Sequence, residues 1–138
     1  MDNQLNHFES KLAYEIDICD LKSMLDAGES VVVIDPRSPD AFLREHIPSA
    51  INIPYRTMSV ESTIHLSRAV LIVTYCDGIG CNASTKGAFN MAKLGFRVKE
   101  LVGGIECWKK EGHQTSKESE SVAYGRSDSA SRIDGLEF

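Results

Sequence analysis

The sequence predicts an α/β domain: a parallel sheet with helices on both faces. Three observations carry this. Continuous apolar runs of strand length alternate with stretches of helical periodicity. The runs at 31–34 and 69–75 lack the apolar–polar alternation of a one-sided strand, so they read as central strands covered on both faces. Glycine, proline and capping residues stand between them.

Asp17 opens the first helix as its cap, with Ile18, Leu21, Met24 and Leu25 on one face and Gly28 as the stop. Residues 31–34 form the first strand, which Asp35-Pro36 ends because proline donates nothing to a ladder. Ser38-Pro39 starts a short helix running through Leu43, with serine as cap and proline at the first helical position. Residues 51–53 make a short strand closed by Pro54, and 55–67 read as helical though weakly patterned. The strand at 69–75 runs directly into Cys76-Asp77-Gly78-Ile79-Gly80-Cys81. A helix from Ser84 carries Ala88, Met91, Ala92 and Leu94 and ends at Gly95. A strand at 98–102, the pair Gly103-Gly104 and a last helix over 105–110 with Ile105 and Trp108 inward complete the pattern.

Residues 17–113 are thus the folded unit, preceded by an N-terminal extension (1–16) without a strong pattern. A polar tail (114–138) rich in Ser, Glu, Gly, Asp and Arg follows, and its composition predicts disorder unless it docks on its own domain or on a second copy as a homodimer. At 138 residues and 42% hydrophobic content the chain buries one core. The net charge of −5 leaves no electrostatic footprint for nucleic acid. No apolar run has the length of a membrane span, and the N-terminus does not read as a signal peptide. A cytoplasmic location is expected, where Cys19, Cys76, Cys81 and Cys107 serve as core residues, ligands or catalysts.

Cys76 is the candidate nucleophile. It ends an apolar strand, a glycine-bearing loop follows, and a helix begins soon after. The loop amides and the positive end of that helix favour thiolate over thiol, and would hold a persulfide or an oxyanion equally well. Gly78 and Gly80 permit the left-handed conformations that let amides converge. The loop is therefore a cradle for anionic sulfur. The cysteine spacings lack the paired knuckles of a zinc site, so no metal and no organic cofactor is expected. Cys19 and Cys107 read as structural, and Asn82 and Ser84 as caps of the following helix.

Several ordered motifs resemble the rhodanese-like sulfurtransferase family. Asp35-Pro36-Arg37 resembles its Asp-x-Arg segment after the first core strand. Residues 46–54, His46-Ile47-Pro48-Ser49-Ala50-Ile51-Asn52-Ile53-Pro54, match its His-Ile-Pro-Gly-Ala-x-Asn-x-Pro motif with Ser49 in place of glycine. Val73-Thr74-Tyr75-Cys76 is similar to its approach to the catalytic cysteine, and Gly103-Gly104-Ile105-Glu106-Cys107-Trp108 to its closing Gly-Gly-x-x-x-Trp segment. The resemblance spans about 17–112 and implies a rhodanese-like fold with about five parallel strands. It implies that Cys76 accepts a sulfane sulfur as a persulfide from a small-molecule or protein donor and passes it to a thiol acceptor. The loop Asp77, Gly78, Ile79, Gly80, Asn82 and Ala83 carries over as the sulfur cradle, with Asp35, Arg37 and His46 in support.

The chain departs from the family at Cys81, where an arginine normally stands five positions after the cysteine. No cation occurs from Cys76 to Thr85, and the loop is about two residues longer than usual. A subset of the family has a similar Cys-x-Gly-x-Gly-Cys-Asn loop. Weak activity on thiosulfate, a dianion, is expected. Cys81 is placed to resolve a persulfide or an oxidised Cys76. The alternative function is a redox-sensing or partner-binding module with a Cys76/Cys81 switch. A cysteine phosphatase or arsenate reductase, which shares this fold, is disfavoured by the missing cation.

Overall fold

The computed structural model describes residues 2–117. Its centre is a five-stranded sheet, all parallel, in the order β1-β5-β4-β2-β3. The strands are β1 (Glu15–Ile16), β2 (Val31–Asp35), β3 (Ile51–Asn52), β4 (Leu71–Thr74) and β5 (Arg97–Leu101). The two uninterrupted apolar runs, β2 and β4, are adjacent and central, and all four residues of β4 are buried. That matches the rule that strands covered on both faces are apolar on both faces.

The helices are α1 (Asp2–Tyr14), α2 (Ile18–Asp26), α3 (Pro39–Arg44), α4 (Ala83–Lys93) and α5 (Gly104–Lys110). Asp17 caps α2 by accepting the Asp20 amide, and Ser38 caps α3 by accepting the Ala41 amide ahead of Pro39. One face of the sheet packs Val33, Leu71, Val73 and Tyr75 against Ile18 and Leu21 of α2 and Ile105 and Trp108 of α5. The other packs Ile34 and Ile72 against Met91 of α4, Phe96 and Leu66. Two separate apolar layers therefore flank one sheet, as the alternating pattern predicts.

Three expectations are corrected. Residues 55–67 do not form a helix: only a 3-10 turn, Tyr55–Thr57, forms, followed by turns. Ser59, Ser62 and Thr63 there bond to one another and to the local backbone, an alternative to the helical ladder that serine and threonine favour. The N-terminal extension instead contains α1, none of whose residues is buried, and the short edge strand β1. Cys19 is exposed on α2 and is not a core thiol, whereas Cys107 packs partly buried against the α5 layer.

The first residues of the polar tail lie on the domain. Ser116 and His46 exchange both backbone hydrogen bonds at 2.9 Å, Trp108 donates its indole N–H to the Gln114 carbonyl, and Thr115 donates to Glu45. The rest of the tail, and with it the expected homodimer contact, lies outside the described residues. Among the described residues no helix is long and apolar enough to cross a membrane.

Candidate active site

β4 delivers Thr74, Tyr75 and Cys76 to the carboxyl end of the sheet, where sites of parallel α/β folds form. Each is fixed differently. Thr74 donates to the Ser84 carbonyl at the start of α4. The Tyr75 hydroxyl donates to Asp35 at 2.7 Å and accepts from the Ile47 amide at 3.1 Å. Cys76 is only 2% exposed, and its carbonyl accepts the Ile105 amide at 2.9 Å, while the Asp77 carbonyl accepts the Glu106 amide at 2.9 Å. The first turn of α5 thus clamps the backbone that carries Cys76. Gly104 makes this approach possible: a Cβ there would fall 2.3 Å from the Cys76 carbonyl oxygen.

Beyond Cys76 the loop curls back on itself. Cys81 returns to Cys76 and the two are joined as a disulfide, with Cα atoms 6.2 Å apart, inside the span of about 4.4–6.8 Å that a disulfide bridges. The Cys81 amide donates to the Gly78 carbonyl, Gly80 takes a positive φ of 98°, and Ile79 stands out at the tip, 90% exposed. Gly78 does not adopt a left-handed conformation; it lies against the Glu106 side chain instead. The capping expectation is also corrected. Asn82 occupies the cap position of α4 without a side-chain cap bond, and the Ser84 hydroxyl donates to Glu100. The first amides of α4, from Ala83 to Thr85, find no acceptor among the described residues, which leaves the positive end of the helix open to an anion.

Asp35 and Arg37 hold the loop from below. Asp35 is fully buried and accepts from the Arg37 amide, the Arg37 guanidinium and Tyr75. Arg37 also donates to Asp77 at 2.7 Å and to the Glu45 carbonyl at 2.7 Å. Burial works against the guanidinium charge, but Asp35 and then Asp77 more than reverse it, so Arg37 is held firmly protonated. Burial, and then the charge and hydrogen bond of Asp35, push the Tyr75 hydroxyl well above its ordinary range, so it stays a neutral donor. Asp77 is paired with Arg37, which reaches the loop from 40 residues away and shares its one charge with Asp35. His46 is buried, stacked on Phe42, and its Nδ1 lies 2.7 Å from the Phe42 carbonyl. It orders the turn into β3.

A cavity of about 250 Å³ opens over Cys76. The loop residues Gly78 to Cys81 line one side, and Leu101 to Gly104 line another. Three further lining residues carry charge: Lys11 of α1, Glu15 of β1 and Glu100 of β5. Sequence reasoning did not find these: the pairing of β1 with β5 brings Lys11 and Glu15 to the site, and the register of β5 against β4 sets Glu100 level with Thr74. The ligand atoms of Cys76, Asp77 and Cys81 lie within 4.8 Å of one another. With the sulfurs joined and Asp77 held by Arg37, that set offers a metal no pair of thiolates unless the disulfide is first reduced.

Comparison with known proteins places the chain among relatives. The family model described as rhodanese-like domain matches residues 18–111. "Thiosulfate sulfurtransferase 16, chloroplastic" from Arabidopsis thaliana is 27% identical over 119 residues, covering 78% of this chain and 96% of that protein. A protein named "Sulfurtransferase" from Allochromatium vinosum is 32% identical over 99 residues, covering 71% of this chain and 90% of its own. Among solved structures, a Bacillus halodurans protein superposes with a TM-score of 0.79 at 44% identity, over 84% of this chain and 85% of that one. Together these likenesses support a sulfurtransferase-like role.

Proposed function

The chain belongs to the rhodanese-like domain family, and from that premise we propose that it moves a sulfane sulfur through a persulfide on Cys76 to a thiol acceptor. The Cys76 thiolate attacks the outer sulfur of a donor. The donor's sulfur bond breaks, and its remainder leaves with the electron pair. The open amides of α4 and the loop dipoles then hold the negative persulfide. An acceptor thiolate takes the outer sulfur and returns Cys76 as thiolate. No step calls for a metal or an organic cofactor. The single observation supporting this reading is a buried cysteine at the end of the central strand, facing a cavity and backed by a helix start.

One relative is named for thiosulfate. For this chain weak thiosulfate activity is proposed. The loop has no cation, and Arg37 is committed to Asp35 and Asp77. A dianion there would face backbone dipoles, Lys11 paired with Glu15, and the carboxylate of Glu100.

The Cys76–Cys81 bond favours a second reading, a redox switch. The switch has a step the carrier lacks: the Cys81 thiolate attacks the inner sulfur of the Cys76 persulfide, the persulfide bond breaks, hydrosulfide leaves and the disulfide forms. Sulfide release by wild type and by Cys81→Ser, measured in a single turnover of persulfide-loaded protein, separates them. A carrier passes its sulfur to added thiol in both proteins. A switch releases hydrosulfide without added thiol, and only when Cys81 is present. Cys76→Ser proteins that still transfer sulfur would sink both readings. A cytoplasmic site of action, where thiol reductants keep the pair open, suits either one.

A further inference from the structure

Two acidic residues face each other at the mouth of the cavity. β1 and β5 pair in parallel with Glu15 opposite Glu100, and both line the cavity over Cys76. Like charges directly opposite on neighbouring strands are destabilising. Each is relieved separately. The Lys11 ammonium lies 3.1 and 3.2 Å from the two Glu15 carboxylate oxygens, one helical turn back. Glu100 accepts hydroxyls from Ser84 at 2.8 Å and Thr85 at 2.6 Å, and among the described residues no cation pairs with it. All three charged residues belong to the cavity wall, and Lys11 and Glu15 lie outside the segment 18–111 that matches the family.

We propose that Lys11, Glu15 and Glu100 form a head-group site for a small zwitterionic thiol of the amino-acid type, and that the persulfide of such a thiol is the sulfur donor at Cys76. The inference rests on the persulfide reading above and names its donor class. The wall carries one cation and two carboxylates, the complement of a ligand with one carboxylate and one ammonium. The ligand's ammonium takes the place between Glu15 and Glu100; Lys11, bonded to Glu15, is the one cation among the described residues that line the cavity. The ligand's carboxylate meets Lys11. Lys11 is half exposed and its pair with Glu15 is a surface i,i+4 bridge of the kind that contributes little, so sharing it costs little. Two carboxylates at the mouth repel a dianion such as thiosulfate. The cavity, about 250 Å³, suits an amino-acid head and not a large substrate.

The step balances without an added oxidant or reductant. The Cys76 thiolate attacks the outer sulfur of R–S–SH, the S–S bond breaks, and R–S⁻ leaves with the electron pair. Cys76–S–SH is formed, and the departing thiolate takes its proton from water.

The test compares kcat/KM for cysteine persulfide and for 2-mercaptoethanol persulfide, which lacks both charges, on the reduced full chain, on Lys11→Gln and on Glu15→Gln. The wild type should prefer the zwitterionic donor by roughly three- to tenfold, the size of one or two exposed charge contacts. Both variants should bring the ratio close to one. Equal kcat/KM for the two donors in wild type, or a preference that neither variant changes, overturns the proposal. A second arm is independent of turnover: Cys76→Ser protein is titrated with S-methylcysteine and with 2-(methylthio)ethanol, followed by NMR. Selective shifts at Lys11, Glu15 and Glu100 with S-methylcysteine are expected. If neither donor loads Cys76, the sulfur-transfer reading fails. The head-group site then stands on those shifts or falls without them.

Discussion

Replacing Gly104 with alanine isolates the contact that sets the Cys76 backbone. Gly104 has φ +61°, in the left-handed region, and its Cβ would stand 2.3 Å from the Cys76 carbonyl oxygen and 2.9 Å from the Cys76 carbonyl carbon. Both atoms are backbone, so no side chain can swing away. The left-handed conformation alone costs an alanine about 1 kcal/mol. Relieving the overlap pulls α5 off the loop and weakens the Ile105-to-Cys76 and Glu106-to-Asp77 hydrogen bonds, at roughly 1 kcal/mol each. Gly104→Ala should therefore lose about 3 kcal/mol. Gly28→Ala is the control: φ is +71° but nothing lies within 4 Å of its Cβ, so about 1 kcal/mol is expected. Urea unfolding under reductant measures both. Equal losses in the two variants would refute the claim that close approach, and not backbone conformation, fixes Gly104.

Three further outcomes follow from the network below the loop. Ser49 has φ +71° where relatives are expected to have glycine, so Ser49→Gly should gain about 0.5–1 kcal/mol in urea unfolding, after the glycine's own entropic cost. Asp35→Asn leaves the buried guanidinium with the exposed Asp77 as its remaining charge partner and should cost about 3 kcal/mol by the same assay. The hydrogen bond from Thr115, then that from Lys109, hold the Glu45 carboxyl below its ordinary 4.5. Its contribution to stability is therefore complete above pH 4.5 and is lost as pH falls through the lower, folded value. The protection of the His46 and Ser116 amides, taken relative to the intrinsic exchange rate at each pH, should fall below that pH, and Glu45→Gln should remove the dependence.

The centre of the fold was legible because it is written in local chemistry. The β-branched run 31–34, the apolar run 69–75, and the caps Asp17 and Ser38 with Pro39 each act within a few residues. The fold class is shown by the five-stranded parallel sheet and by its solved relatives. Elements at the margin carried no such signal. α1 has no buried residue and leaves Leu5, Phe8 and Leu12 exposed, and β1 is two residues long. Residues 55–67 were misread because serine and threonine bonds to the local backbone outcompete a helix there. At the site, Cys76 and Cys81 were visible as a loop pattern. The charge of the site was not, since Arg37 reaches Asp77 across 40 residues and Lys11 reaches the cavity only through β1–β5 pairing.

The central claim is that Cys76 carries sulfur, and intact-protein mass spectrometry tests it most directly. The reduced chain is exposed to thiosulfate and, separately, to glutathione persulfide, beside Cys76→Ser and Cys81→Ser. A gain of one sulfur, larger with the persulfide, kept in Cys81→Ser and absent in Cys76→Ser, is the predicted result. No added sulfur with either donor, or only a loss of two hydrogens that requires Cys81, would contradict it and leave the disulfide switch as the function of the loop.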